Sequence, residues 1–215
     1  MSKIKNNKNK IIVFLALVIL NMLYLWTNRL NMQIHLTELF IDKHIPLVKY
    51  MIIPYFFWYI YVWMVFFYLA VKDEKLFFTH SKATIISKSI CIILFLVYPT
   101  FVIRPEITGQ DIFSKALIHL YASDNPVNAL PSIHVLQTIL THIAIINIRN
   151  ATKKLKISSS IISMLIILST VMTKQHNIID VFAAYILAII VIKIVYLLDY
   201  KKCKLSIVED VVINR

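Results

Sequence analysis

The stretch MTKQHNIIDVF sets His176 and Asp180 four residues apart. On a helix that spacing places both side chains on one face, one turn from each other. A carboxylate there accepts the Nδ1–H of the imidazole, fixes its tautomer and leaves Nε2 as a lone-pair nucleophile. An ordinary polar pair at the end of an apolar segment has the same spacing, so the pair alone leaves both readings open. A second group, NPVNALPSIHVLQ, carries Ser132 and His134 just behind Pro131. Proline suits a first helical turn, and the free N–H groups and dipole of a helix start favour an anion. A histidine at such a point is placed to trade a proton, although a capping serine beside an interfacial histidine is also common. The third group is VIRPEITG, in which the Arg104 guanidinium suits bidentate phosphate binding or simple anchoring at an interface.

The elements that carry these residues are apolar. Apolar residues make up 59% of the 215 and charged ones 16%, against about 45–50% and about 25% in soluble domains; mean hydropathy is +0.74. The excess is gathered into blocks long enough to cross a bilayer. The expectation is an all-α, multi-pass membrane bundle of six transmembrane helices, at roughly 11–27, 50–71, 84–103, 128–148, 155–173 and 178–198. It forms one integral membrane domain over 1–215, with tails at 1–10 and 200–215. The first apolar block is long for a signal peptide and lacks a small-residue cleavage pattern, so it reads as a retained span. IHLTELFIDKHI, before the second span, reads as a short interfacial or re-entrant helix. Ser158, Ser159, Ser160 and Ser163 dilute the fifth span.

The net charge of +12 reports orientation rather than nucleic acid, since no basic helix interleaved with aromatics lies outside the spans. Most lysines and arginines fall before span one, around the link between spans two and three, between spans four and five, and at the end of the chain. Arg29, Lys43, Lys49, Arg104, Lys115 and Lys174 fall on the other side. The positive-inside rule then sets both termini in the cytoplasm. It turns the three polar groups, from three different connections, toward one extracytoplasmic face. Cys91 and Cys203 indicate no disulfide framework.

Arg104-Pro105, Pro131-Ser132-x-His134 and Ser169 with His176-x-x-x-Asp180 resemble the three signature motifs of the type 2 phosphatidic acid phosphatase superfamily. That family pattern is Lys-x6-Arg-Pro, Pro-Ser-Gly-His and Ser-Arg-x5-His-x3-Asp. Here Val97 stands at the lysine position, Ile133 at the glycine and Thr170 at the arginine. STVMTKQHNIIDVFAAY is similar to the branch of the inositol phosphorylceramide synthases and, more distantly, the sphingomyelin synthases. The resemblance covers about 95–190.

It implies a membrane-bound lipid phosphatase that uses neither metal nor cofactor and cleaves a lipid phosphomonoester or diphosphate at the outer face of the cytoplasmic membrane. His176 would attack phosphorus and form a phosphohistidine, Asp180 would orient it, and His134 would protonate the leaving oxygen. Arg104, Lys174 and Ser132 would bind the phosphate, with Lys174 supplying the cation that Thr170 does not. The partners implied are a lipid phosphate and the bilayer. A lipid phosphotransferase passing the group to an alcohol, and a non-catalytic transporter or scaffold of the same fold, are the alternatives. A metal site from His134, His142, His176 and Asp180 lacks an H-E-x-x-H pattern. His142 reads as a packed or hydrogen-bonded side chain, and Asp124 and Asn125 as turn residues.

Overall fold

A computed structural model describes residues 2–30 and 32–213, with side chains for 7–30 and 32–196. Eight α-helices make up most of it: α1 (Ser2–Thr27), α2 (Phe40–His44), α3 (Ile52–Lys72), α4 (Glu74–Val97), α5 (Ile112–Ser123), α6 (Ile133–Ile146), α7 (Lys153–Met172) and α8 (Ile178–Ile213). Two short strands, β1 (His35–Leu36) and β2 (Thr100–Phe101), pair in parallel. The all-α expectation holds. Five segments are long and apolar enough to cross a membrane: Asn7–Thr27, Lys49–Lys72, Glu74–Val97, Lys153–Met172 and Ile178–Tyr196.

The expected fourth span is different. Only Ile133–Ile146 is helical, about 21 Å at 1.5 Å per residue, and residues 124–132 before it are irregular. α6 is the central helix, touching α3, α4, α7 and α8. Its short length is tolerated because protein, not lipid, surrounds it and the loop before it is tied internally. Asn128 N–H donates to the Thr100 carbonyl at 2.8 Å, and Thr100 Oγ1 accepts from the Ala129 and Leu130 amides at 3.0 Å each. Ala184 and Ala188 of α8 are fully buried in the same cluster as Val135, Leu136 and Leu140; small side chains let the two helices approach closely.

The expected third span, 84–103, is also corrected. α4 begins ten residues earlier, and only Asp73 separates it from α3. The Asp73 carboxylate accepts the Leu76 amide at 3.0 Å, an N-cap that starts α4 at once. Lys75, Lys82 and Lys88, expected around an inner loop, therefore belong to a helix. α1 likewise runs back through residues 2–10, and α8 runs on through 200–213; residues 214 and 215 of the expected tail, and the side chain of Cys203, lie outside the described residues. α7 is continuous, because Ser159 and Ser163 turn inward to share hydrogen bonds with the Tyr61 hydroxyl at 2.7 and 3.1 Å. His142 also bonds Ser159, at 2.8 Å, the packed and hydrogen-bonded role expected of it. The helix expected in IHLTELFIDKHI is reduced to the single turn Phe40–His44, preceded by β1.

Candidate active site

The site forms where the α7–α8 joint, the start of α6 and the segment after α4 meet. α7 ends in a Schellman arrangement: Lys174 N–H donates to the Val171 carbonyl at 3.0 Å and Gln175 N–H to the Thr170 carbonyl at 3.0 Å. Lys174 occupies the left-handed position that ends such a helix, with φ 54°. His176 N–H shares the Thr170 carbonyl at 3.1 Å. α8 then starts on Asn177, whose carbonyl accepts the Asp180 amide at 3.1 Å, while Asp180 Oδ2 accepts the Asn177 amide at 2.8 Å. A carboxylate reaching back from the third helical residue to the cap is half of a capping box.

This geometry changes how His176 meets Asp180. His176 precedes the helix rather than lying on it, and the capping turn folds it over Asp180, with Nδ1 3.4 Å from Oδ2. His176 Nδ1 and Asp180 Oδ1 are both buried without a hydrogen-bond partner. Asp180 is completely buried.

At the start of α6, Ser132 Oγ accepts the Val135 amide at 3.2 Å, and the Ser132 amide donates to the Asp180 carbonyl at 3.2 Å. Ser132 is therefore the N-cap of α6 and also its tie to α8. The amides of Ile133 and His134 make no hydrogen bond among the described residues, and an anion at a helix start takes such groups. His134 shares a hydrogen bond with the Tyr55 hydroxyl through Nε2 at 3.1 Å and packs on Trp58, 4.3 Å between centroids. Its ring lies 5.7 Å from that of His176.

Arg104 closes the third side. One guanidinium nitrogen donates to the Asp124 carbonyl at 2.6 Å and the other to Gln175 Oε1 at 2.7 Å, and the group lies over the Tyr121 ring at 4.7 Å. Arg104 Nε and Gln175 Nε2 are buried donors without partners. Asp124 is more than a turn residue. Its carboxylate accepts the Tyr24 hydroxyl at 2.9 Å, and burial raises its pKa above the ordinary carboxylate range against the opposing pull of Tyr24 and Arg104.

Of the six expected residues, five gather here: Arg104 meets the joint through Gln175, Ser132 meets Asp180, and His134 faces His176. Lys174 is the exception. Its ammonium donates to the Asp42 carbonyl at 2.8 Å, and Asp42 in turn accepts the Ile178 amide at 2.8 Å and the Leu39 amide at 2.8 Å. Lys174 thus fastens the α7–α8 joint to the segment before α3. Thr170 is turned inward on its own helix, donating to the Ile167 carbonyl at 2.7 Å. Tyr55, Trp58, Asp124 and Gln175 were not anticipated as parts of the site. The model of the PAP2 superfamily matches residues 21–194, which take in every one of these positions.

The chain belongs to the PAP2 superfamily. Membership suggests phosphatase-type activity, since the superfamily consists generally of phosphatases and phosphotransferases. No curated protein and no solved structure matches the chain.

Proposed function

We propose that this PAP2-superfamily protein is a membrane lipid phosphatase that hydrolyses a lipid phosphomonoester or diphosphate through a phosphohistidine on His176. The observation that carries the reading is the pair of histidine rings 5.7 Å apart, one against a buried carboxylate and the other at a helix start with free amides. His176 Nε2 attacks phosphorus while Asp180 stabilises the imidazole as it gains positive charge. The bond to the lipid oxygen breaks, and His134, oriented by Tyr55, gives that oxygen its proton. His134 then takes a proton from water as the water attacks the phosphohistidine, releasing phosphate and restoring His176.

Arg104, Gln175 Nε2, the Ser132 hydroxyl and the Ile133 and His134 amides are the donors for the equatorial oxygens, where charge is spread in the transition state. The Lys174 ammonium is held by the Asp42 carbonyl at 2.8 Å, so we assign it to the joint rather than to the phosphate. The distribution of lysine and arginine along the chain supports an extracytoplasmic site in the cytoplasmic membrane.

One observation favours transfer to an alcohol instead. His134 is 8% exposed and enclosed by Tyr55 and Trp58, which restricts water at the group that activates the acceptor. The test is purified protein given a panel of radiolabelled lipid phosphates and quenched in base. Wild type is expected to yield an acid-labile, base-stable protein-bound phosphate and free phosphate, and His176→Ala neither. A labelled phosphate ester of an added alcohol, formed in place of free phosphate, would mark the transferase. Turnover retained in His176→Ala would sink the nucleophile assignment.

A further inference from the structure

A cavity of about 350 Å³ opens beside His134 and Asp124 and runs inward between α1, α3, α4 and α6. That is within the size range of small-molecule sites. Its lining is ordered by depth, because α1 and α4 end at the site and α3 and α6 begin there. His134 and Asp124 stand at the mouth. One helical turn in, about 4.5 Å along α6, come Gln137 and, on the facing helices, Asn21 and Lys88. Beyond them the floor is apolar, with Leu17 and Phe66.

The middle layer is unusual for the interior of a membrane bundle. Lys88 is 3% exposed, its ammonium donates to the Asn21 side-chain oxygen, and it forms no ion pair among the described residues. An ammonium has three N–H donors, and a cation at such depth is costly unless it is paired or used. Thr84, one turn deeper on α4 and lining the same cavity, has a buried hydroxyl with no partner. A hydrocarbon chain lying here would leave these donors unsatisfied. A ligand with acceptor oxygens a few bonds from its phosphorus, and apolar chains beyond them, matches all three layers.

We propose that the Lys88, Asn21, Thr84 and Gln137 layer binds the ester or amide carbonyls of a glycerolipid- or sphingolipid-type phosphate. It would thereby select such a lipid over a polyprenyl phosphate, whose chain has no acceptor. The proposal rests on the phosphatase reading for what happens at the mouth, but not for binding.

The experiment uses the full chain in nanodiscs, with diacyl phosphatidate and its dialkyl ether analogue of equal chain length. Wild type is expected to show a KM about tenfold lower for the diacyl form, the worth of a charge-assisted hydrogen bond. Lys88→Met should erase the difference by raising the diacyl KM alone, with kcat and the ether KM held. Thr84→Val, a smaller change, should narrow it should Lys88→Met fail to fold. Binding of the matching non-hydrolysable phosphonates, read by quenching of Trp58 and Trp63 at the cavity wall, gives the same comparison without turnover. No phosphate release from either lipid, with phosphonate selectivity intact, would overturn the phosphatase reading and leave the cavity assignment standing. Equal binding of the two phosphonates, binding of neither, or equal effects of Lys88→Met on both would overturn the cavity assignment.

Discussion

The Asp180 carboxylate accepts the Asn177 amide at 2.8 Å and lies 3.4 Å from His176 Nδ1, so one side chain closes the first turn of α8 and also faces the imidazole. The two roles separate under substitution. Asp180→Asn keeps an oxygen for the Asn177 amide and loses the charge. We expect an unchanged melting temperature with kcat lower by on the order of 10²-fold or more. Asp180→Ala should add a stability loss of about 1 kcal/mol from the missing cap, read by thermal unfolding beside the activity assay. Equal activity of Asp180→Asn and wild type would remove the carboxylate from the chemistry. The sequence made His134, His176 and Asp180 legible because their types are scarce in apolar segments and their spacing is short. Tyr55 was not legible, being one of 11 tyrosines and 79 positions from the histidine it holds. Gln175 lay within the motif yet carried no signal, because its role exists only where Arg104, 71 positions away, reaches it.

At the scale of the elements, the α7–α8 joint gives Lys174 a role other than the phosphate ligand expected of it. A lysine before His176 is a plausible cation by composition, but composition does not record that its backbone sits at φ 54° or that its ammonium holds the Asp42 carbonyl. Lys174→Gly relieves the backbone cost of the left-handed position and removes one hydrogen bond of about 0.5–1.5 kcal/mol. The two nearly cancel. We expect a melting temperature close to wild type and activity within tenfold of it; a fall of 10²–10³-fold would reinstate Lys174 as a phosphate ligand. Helix boundaries failed for a related reason. The lysines at 75, 82 and 88 break the apolar pattern and moved the expected third span toward 84–103. The helix tolerates them, since Asp73 caps its start and Lys88 finds Asn21 on α1. The six apolar segments were legible by length; that the fourth is a short core helix entered through a tied loop depends on tertiary contacts alone.

For the whole molecule, the proposed orientation places the loop after β2 and the α6–α7 link on opposite sides of the membrane. Single cysteines at exposed Glu106 and Asn150, in a Cys203→Ser background, test this with a membrane-impermeant maleimide on intact cells. Glu106→Cys should label and Asn150→Cys should not; the reverse pattern would invert the orientation. Cys91 is buried and stays silent. The site face is joined by bonds between residues far apart along the chain: Asn28 to Asn125 across 97 positions, Asp42 to Ile178 across 136 and Thr37 to Asn177 across 140. Contacts of such separation form late, because loop-closure entropy opposes them until both ends are held. The residues that complete the seam, 177 and 178, also follow His176 directly. During synthesis the seam therefore closes only once residues 177 and 178 have been made, when both histidines are already in the chain.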